Sequence, residues 1–185
     1  MIKEQQKKVE IGIVKKQDIL ENQAKIVFLG IGSNLGLRKT NIEKAKFLLA
    51  EYNLDFLSVS SYYETPSWPD SKKPKFLNII IKLRCYYNPQ ELLKICKSIE
   101  TQLGRKKAKK NAPRICDLDI IDFNKLVSKK KAVVNLPHKM MHKRNFVLFP
   151  LFEIQKNWTH PHKNIDVKTL ISLLPDRDIR SIKQI

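Results

Sequence analysis

No apolar stretch in the 185 residues approaches the length of a membrane-spanning helix, so no transmembrane segment is expected. The N-terminus lacks the continuous apolar run of a secretory signal, and its scattered glutamates argue against a transit peptide. Cysteine is scarce. Cys85, Cys96 and Cys116 form no C-x-x-C pair and are odd in number, which disfavours a disulfide framework or a zinc site and fits reduced thiols in a cytoplasmic protein. Acids are the minority charge: 18 Asp+Glu against 36 Lys+Arg give a formal net charge of +18. Such an excess implies an anionic partner, whether nucleotide, nucleic acid or anionic membrane. There is no internal repeat and no second domain boundary. The expectation is a polar extension over residues 1–24, then a single domain over 25–185.

Within that domain, Lys25–Leu29 reads as a strand, rich in β-branched and aromatic residues. It enters Gly30-Ile31-Gly32-Ser33-Asn34-Leu35-Gly36, whose glycines permit a tight turn. A helix follows, with Thr40 and Glu43 at capping-box spacing and an apolar stripe of Ile42, Ala45, Leu49 and Tyr52. The glycine spacing departs from a dinucleotide fingerprint, and Walker A fails for want of G-K-[ST]. Phe56–Tyr63 reads as a second strand, broken by a proline-flanked loop carrying Trp68, a candidate lid residue and equally a candidate half-buried anchor. Phe76–Leu83 is a third strand in which Asn78, among apolar neighbours, must find a backbone or ligand partner. Asn88, Pro89 and Glu91 open a second helix that Gly104 ends, with Leu92, Cys96, Ile99 and Leu103 on its buried stripe. Val147–Ile154 reads as core, His160-Pro161-His162 as a turn, and Asp166 as the cap of a last helix.

The chemistry concentrates after the second helix. A cationic stretch with Arg105, Lys106, Lys107, Lys109, Lys110 and Arg114 runs into the apolar segment Ile115–Asp122, where Asp117 and Asp119 lie two apart. In a strand such residues share a face. Two adjacent carboxylates repel, and a divalent cation between them removes the objection. Mg²⁺ suits this donor set, since it takes one or two carboxylates plus phosphate oxygens and water. Alone, D-x-D also fits a solvated edge strand with two surface acids. Cations beside such a pair point to a polyphosphate held between them.

In their order, Gly30–Gly36, Tyr63-Glu64-Thr65-Pro66, Phe76-Leu77-Asn78, Glu100 with Gly104-Arg105, Pro113–Ile120, Pro137-His138 and Arg144-Asn145-Phe146 resemble the 6-hydroxymethyl-7,8-dihydropterin pyrophosphokinases of folate synthesis. The resemblance runs from about Ile26 to about Leu174. It implies an α+β fold, a ferredoxin-like antiparallel or mixed sheet with helices on its faces in three αβα layers. It implies a diphosphokinase that moves pyrophosphate from ATP to the pterin's hydroxymethyl group and releases AMP. Asp117 and Asp119 would hold two Mg²⁺ ions, and Arg105 and Arg114 would grip the triphosphate; these four are the implied catalytic residues. Glu100, Ile120, His138 and Arg144 would complete the ATP site. Asn78 would read the pterin edge, Thr65 and Pro66 would line its pocket with Gly32 beside them, and Phe76 and Phe146 would sandwich its faces. ATP and the pterin are the implied partners of a monomer off the membrane.

Two departures stand out. Asn111 and Ala112 replace the family's loop tryptophan, and Lys139 follows His138 where an aromatic is common. Two rival readings remain at this point. A nucleic-acid-binding domain would use the +18 charge but should interleave basic residues with exposed aromatics. A dinucleotide enzyme, with an acid such as Glu51 on the ribose, would require parallel βαβ units.

Overall fold

The computed structural model describes residues 23–67, 70–105 and 112–185; Trp68, Lys106 to Asn111 and nearly all of the polar extension lie outside them. Lys25–Ser33 forms β1, Arg38–Ala50 α1, Asp55–Val59 β2, Tyr63–Thr65 β3 and Phe76–Cys85 β4. Pro89–Gln102 forms α2 and Asp117–Phe123 β5. A 3₁₀ turn at Met141–Lys143 leads to α3 (Asn145–Ile154), α4 (Val167–Ser172), α5 (Asp176–Ser181) and the short β6 (Lys183–Gln184).

The sheet order is β5-β1-β4-β3-β6, with β2 also on β4, and every pairing is antiparallel. That order, with α1 and α2 as crossovers, is the ferredoxin-like arrangement expected, and it removes the parallel-sheet reading. Side chains alternate along β1 and separate two cores. Val27, Leu29 and Ile31 meet Ile42 and Leu49 of α1 and Leu92, Cys96 and Ile99 of α2. Phe28 faces the other way, to Leu148 and Leu151 of α3 and Leu170 of α4.

The α2 start is as expected: Asn88 Oδ1 accepts from the Gln90 and Glu91 amides, while Glu91 Oε2 accepts from the Asn88 amide. Gly104 follows with φ +91°, the left-handed closure that glycine allows. The capping box expected at Thr40 and Glu43 does not form. The helix already begins at Arg38, and Leu37 supplies no side-chain cap. Glu43 instead pairs with Lys46 and accepts from the Tyr62 hydroxyl.

The expected second strand is interrupted. Ser61 donates its amide and hydroxyl to Glu153 of α3, and Ser60 Oγ accepts from the Ile80 amide, so β2 and β3 follow one another along β4. The third strand runs two residues further, to Cys85, than Leu83. Asp166 does cap α4, accepting from the Thr169 amide, although α5 and β6 come after it. His160-Pro161-His162 is a turn, with His160 Nδ1 accepting from the His162 amide. Among the described residues no helix is long and apolar enough to cross a membrane.

Candidate active site

A row of three residues crosses the sheet on the face that also carries Phe28 and Ile80. Gly32 of β1 pairs with Asn78 of β4 on one side and with Asp117 of β5 on the other. Gly30, two residues back, pairs with Asp119. Partners in an antiparallel ladder share a face, so both carboxylates lie on the face where Gly30 and Gly32 carry no side chain, the space over Gly30 being taken by Ile80 and Ile121. A Cβ at Gly32 would stand 2.8 Å from Asn78 Oδ1 and 3.6 Å from the Phe76 ring. The glycine therefore leaves room for both side chains.

Asn78 is buried and donates Nδ2 to Thr65 Oγ1 at 3.3 Å. Its partner is thus a side-chain hydroxyl rather than the backbone group expected as the commoner answer. Thr65 and Phe76 pair at the end of the β3–β4 ladder, and Pro66 begins the loop beyond. Phe146 lies under Arg144, whose guanidinium sits 5.5 Å from the ring centroid.

At the acid end, Asp117 accepts from Arg105 Nη1 at 2.8 Å and Arg114 Nη1 at 2.6 Å. Arg105 also pairs with Glu100. Burial works against the Arg105 charge, but Asp117 and Glu100 outweigh it and raise its pKa. Glu100 is 1% exposed, and its carboxylate accepts from the Leu118 amide at 2.8 Å and from Lys97. It reaches the site by anchoring Arg105 and the β5 backbone. Asp119, more open, has Arg144 Nη1 at 3.6 Å and His138 Nε2 at 4.0 Å. His138 Nδ1 accepts from the Met140 amide, which leaves the proton on Nε2 toward Asp119. Burial lowers the His138 pKa, Asp119 opposes this, and Arg144 adds to it.

Among the described residues no three His, Cys, Asp or Glu side chains cluster as a closed metal cage. Two carboxylates on one face, Asp119 the more open and Asp117 held here by Arg105 and Arg114, suit a hard cation whose remaining ligands come from a phosphate ligand and water.

Beside Asp119 and His138 lies a cavity of about 210 Å³. Leu93, Leu118, Ile120 and Val134 supply apolar walls, and Lys97, Asn135 and Lys139 supply polar groups. Of these, sequence reasoning had singled out Ile120, and Lys139 only as a departure. A larger apolar groove, lined by Phe47, Leu48 and Leu103, lies between α1 and the end of α2. It lacks the paired acids and arginines, so chemistry rather than size identifies the site.

Asn34 was missed. Only 2% exposed, it accepts from the Arg114 amide at 2.7 Å and donates to Pro74 O at 3.1 Å. It ties the arginine-bearing segment to the end of the β3–β4 loop. A polar Ser33-Asn34 pair directly after an apolar strand was the available signal.

The sequence pattern of the family described as 7,8-dihydro-6-hydroxymethylpterin-pyrophosphokinase matches residues 28–156. The chain is 38% identical over 135 residues to the 2-amino-4-hydroxy-6-hydroxymethyldihydropteridine pyrophosphokinase of Aquifex aeolicus, covering 73% of this chain and 83% of that one. It is 37% identical over 130 residues to the enzyme of the same name from Bacillus subtilis, covering 70% and 77%. The crystal structure of Plasmodium falciparum HPPK-DHPS superimposes with TM-score 0.65 at 16% identity, over 89% of this chain and 45% of that chain. This chain thus spans under half the length of that protein.

Proposed function

Given that the chain belongs to the 7,8-dihydro-6-hydroxymethylpterin-pyrophosphokinase family, and is by that membership a pyrophosphokinase of folate biosynthesis, we propose that ATP is its donor and 6-hydroxymethyl-7,8-dihydropterin its acceptor. The hydroxymethyl oxygen attacks the β-phosphorus, a bond to the diphosphate forms, and AMP leaves. The observation that carries this reading is the row Asn78–Gly32–Asp117. Two strand spacings separate its ends, about 10 Å, which suits a bicyclic heterocycle whose alcohol extends toward the acids.

Asn78, backed by Thr65, reads the edge of the heterocycle, and a flat ring fits between Phe76 and Phe146 with Gly32 and Pro66 beside it. No ring contact joins Phe76 to Phe146 among the described residues. Arg105 and Arg114, which neutralise Asp117 here, present the guanidiniums for which a triphosphate competes. Glu100 keeps Arg105 aimed at that position. Arg144 and His138 flank Asp119 and serve the remaining phosphate oxygens. Ile120 borders the cavity that takes the nucleoside, with its backbone on the same free edge of β5 as the Leu118 amide.

Asp117 and Asp119 would hold the Mg²⁺ ions, which neutralise charge on the phosphate oxygens when bound. Asp119, the more exposed acid, accepts the hydroxyl proton. All three cysteines are free and buried, and burial pushes the Cys96 and Cys116 thiols up to about 12, in keeping with a reduced cytoplasmic protein.

The test is ³¹P NMR of the protein with ATP, Mg²⁺ and the reduced pterin alcohol. AMP plus a pterin diphosphate is the expected result. ADP instead would make it an ordinary kinase, and no pterin-dependent turnover in folded protein overturns the reading.

A further inference from the structure

Helix α1 begins against local rules. Its first turn contains Arg38 and Lys39 and no acid, at the positive end of the helix dipole, without a side-chain cap. Residues that violate local preference are often committed elsewhere, and Arg38 is. Its Nη1 donates to Lys75 O and its Nη2 to Glu64 Oε2, each at 2.9 Å.

Those two acceptors flank residues 66–75, which join β3 to β4 next to Thr65 and Phe76. β3 is three residues long, and its ladder with β4 ends at Thr65 and Phe76. Residues 66–75 lie beyond. Glu64 immediately precedes Thr65, and Lys75 immediately precedes Phe76, so one guanidinium grips both ends of the loop. Lys75 Nζ completes the ring on Glu64 Oε1 at 3.0 Å. Three ladder pairs are a weak base for a loop whose closure costs entropy, and a planar fork fixes two acceptors at once.

We propose that Arg38 is a positioning residue that staples the base of loop 66–75 and so holds Thr65, Phe76 and Asn78 at the spacing that admits a flat heterocycle. The inference rests on the pterin reading of this pocket. It assigns Arg38 chiefly to acceptor binding: Glu100 anchors Arg105 and the β5 backbone separately, and among the described residues Asn34 is the one link between this loop, at Pro74, and the Arg114 amide. A lysine at this position keeps the charge but not the fork, so it is not a conservative replacement here.

The experiment measures hydrogen exchange and ligand binding on the full chain. Arg38→Ala and Arg38→Lys should both speed amide exchange across residues 64–76 by about tenfold, leaving 92–99 and 118–123 unchanged. Pterin affinity should fall about tenfold, while affinity for a non-hydrolysable ATP analogue stays within about twofold. Glu64→Gln, which keeps an acceptor for Nη2, should move both readouts in the same direction by less. Exchange and pterin affinity both unchanged in Arg38→Ala would overturn the proposal. So would exchange accelerated equally over the whole sheet, because the role would then be general stability. If the wild-type chain binds no pterin, the pocket reading fails on its own, while the exchange contrast still decides the staple.

Discussion

Gly32 lies across the β1–β4 ladder from Asn78, so close that a methyl group there would stand 2.8 Å from Asn78 Oδ1. Asn78 donates Nδ2 to Thr65, which leaves its carbonyl oxygen over the glycine. Gly32→Ala should therefore displace the amide without entering either core. We expect pterin affinity to fall about tenfold, and Asn78→Ala to cost about 1–3 kcal/mol of binding. Calorimetry reads both, and an unchanged affinity in Asn78→Ala removes the pocket assignment.

Asp119→Asn should lower turnover by about 100-fold or more while pterin binding survives. The substitution removes a charge beside Arg144 and His138 yet leaves the β5 ladder intact. Steady-state kinetics together with calorimetry separate the two effects. Turnover at the wild-type level would refute the role of the acid pair.

Asn34→Ala orphans the Arg114 amide on one side and Pro74 O on the other. The expected loss is about 1–3 kcal/mol of stability, since both groups lose a partner near the protein interior. Denaturant unfolding measures it. A midpoint equal to wild type would show that water replaces both bonds.

His160 links stability to pH. Burial, then His142, Lys163 and His162, lower its pKa from 6.5 to about 4, and its ring also packs against Trp158. A base with a folded pKa below its unfolded value takes up its proton first in the unfolded chain. Its contribution is complete above about pH 6.5 and is lost as pH falls toward 4, up to about 3 kcal/mol. His160→Asn, whose side-chain oxygen can still accept from the turn amides, should flatten the fall in melting temperature between pH 7 and pH 4.5. Parallel curves for the two proteins would exclude His160 as the titrating group.

Much of this was legible in the chain because it is local. The α2 cap depends on Asn88 and Glu91, three residues apart, and the common face of Asp117 and Asp119 follows from the two-residue period of a strand. The motif order carried the family, and with it the ferredoxin-like sheet.

What failed or was missed depended on partners far along the chain. Nothing near Ser61 announces Glu153, which draws its amide off the ladder and splits the expected strand. The start of α1 was misplaced because Thr40 and Glu43 fit a local rule, whereas Glu43 is engaged by Lys46 and Tyr62. Asn34 acquires its role only when residues 74 and 114 fold onto it. The sequence by itself determined β1, β4, the second helix and the acid pair, because neighbouring backbone groups and side chains set those energies. Tertiary structure alone decided that Gly32 stands between Asn78 and Asp117, since strand register is chosen by the burial of two whole faces at once.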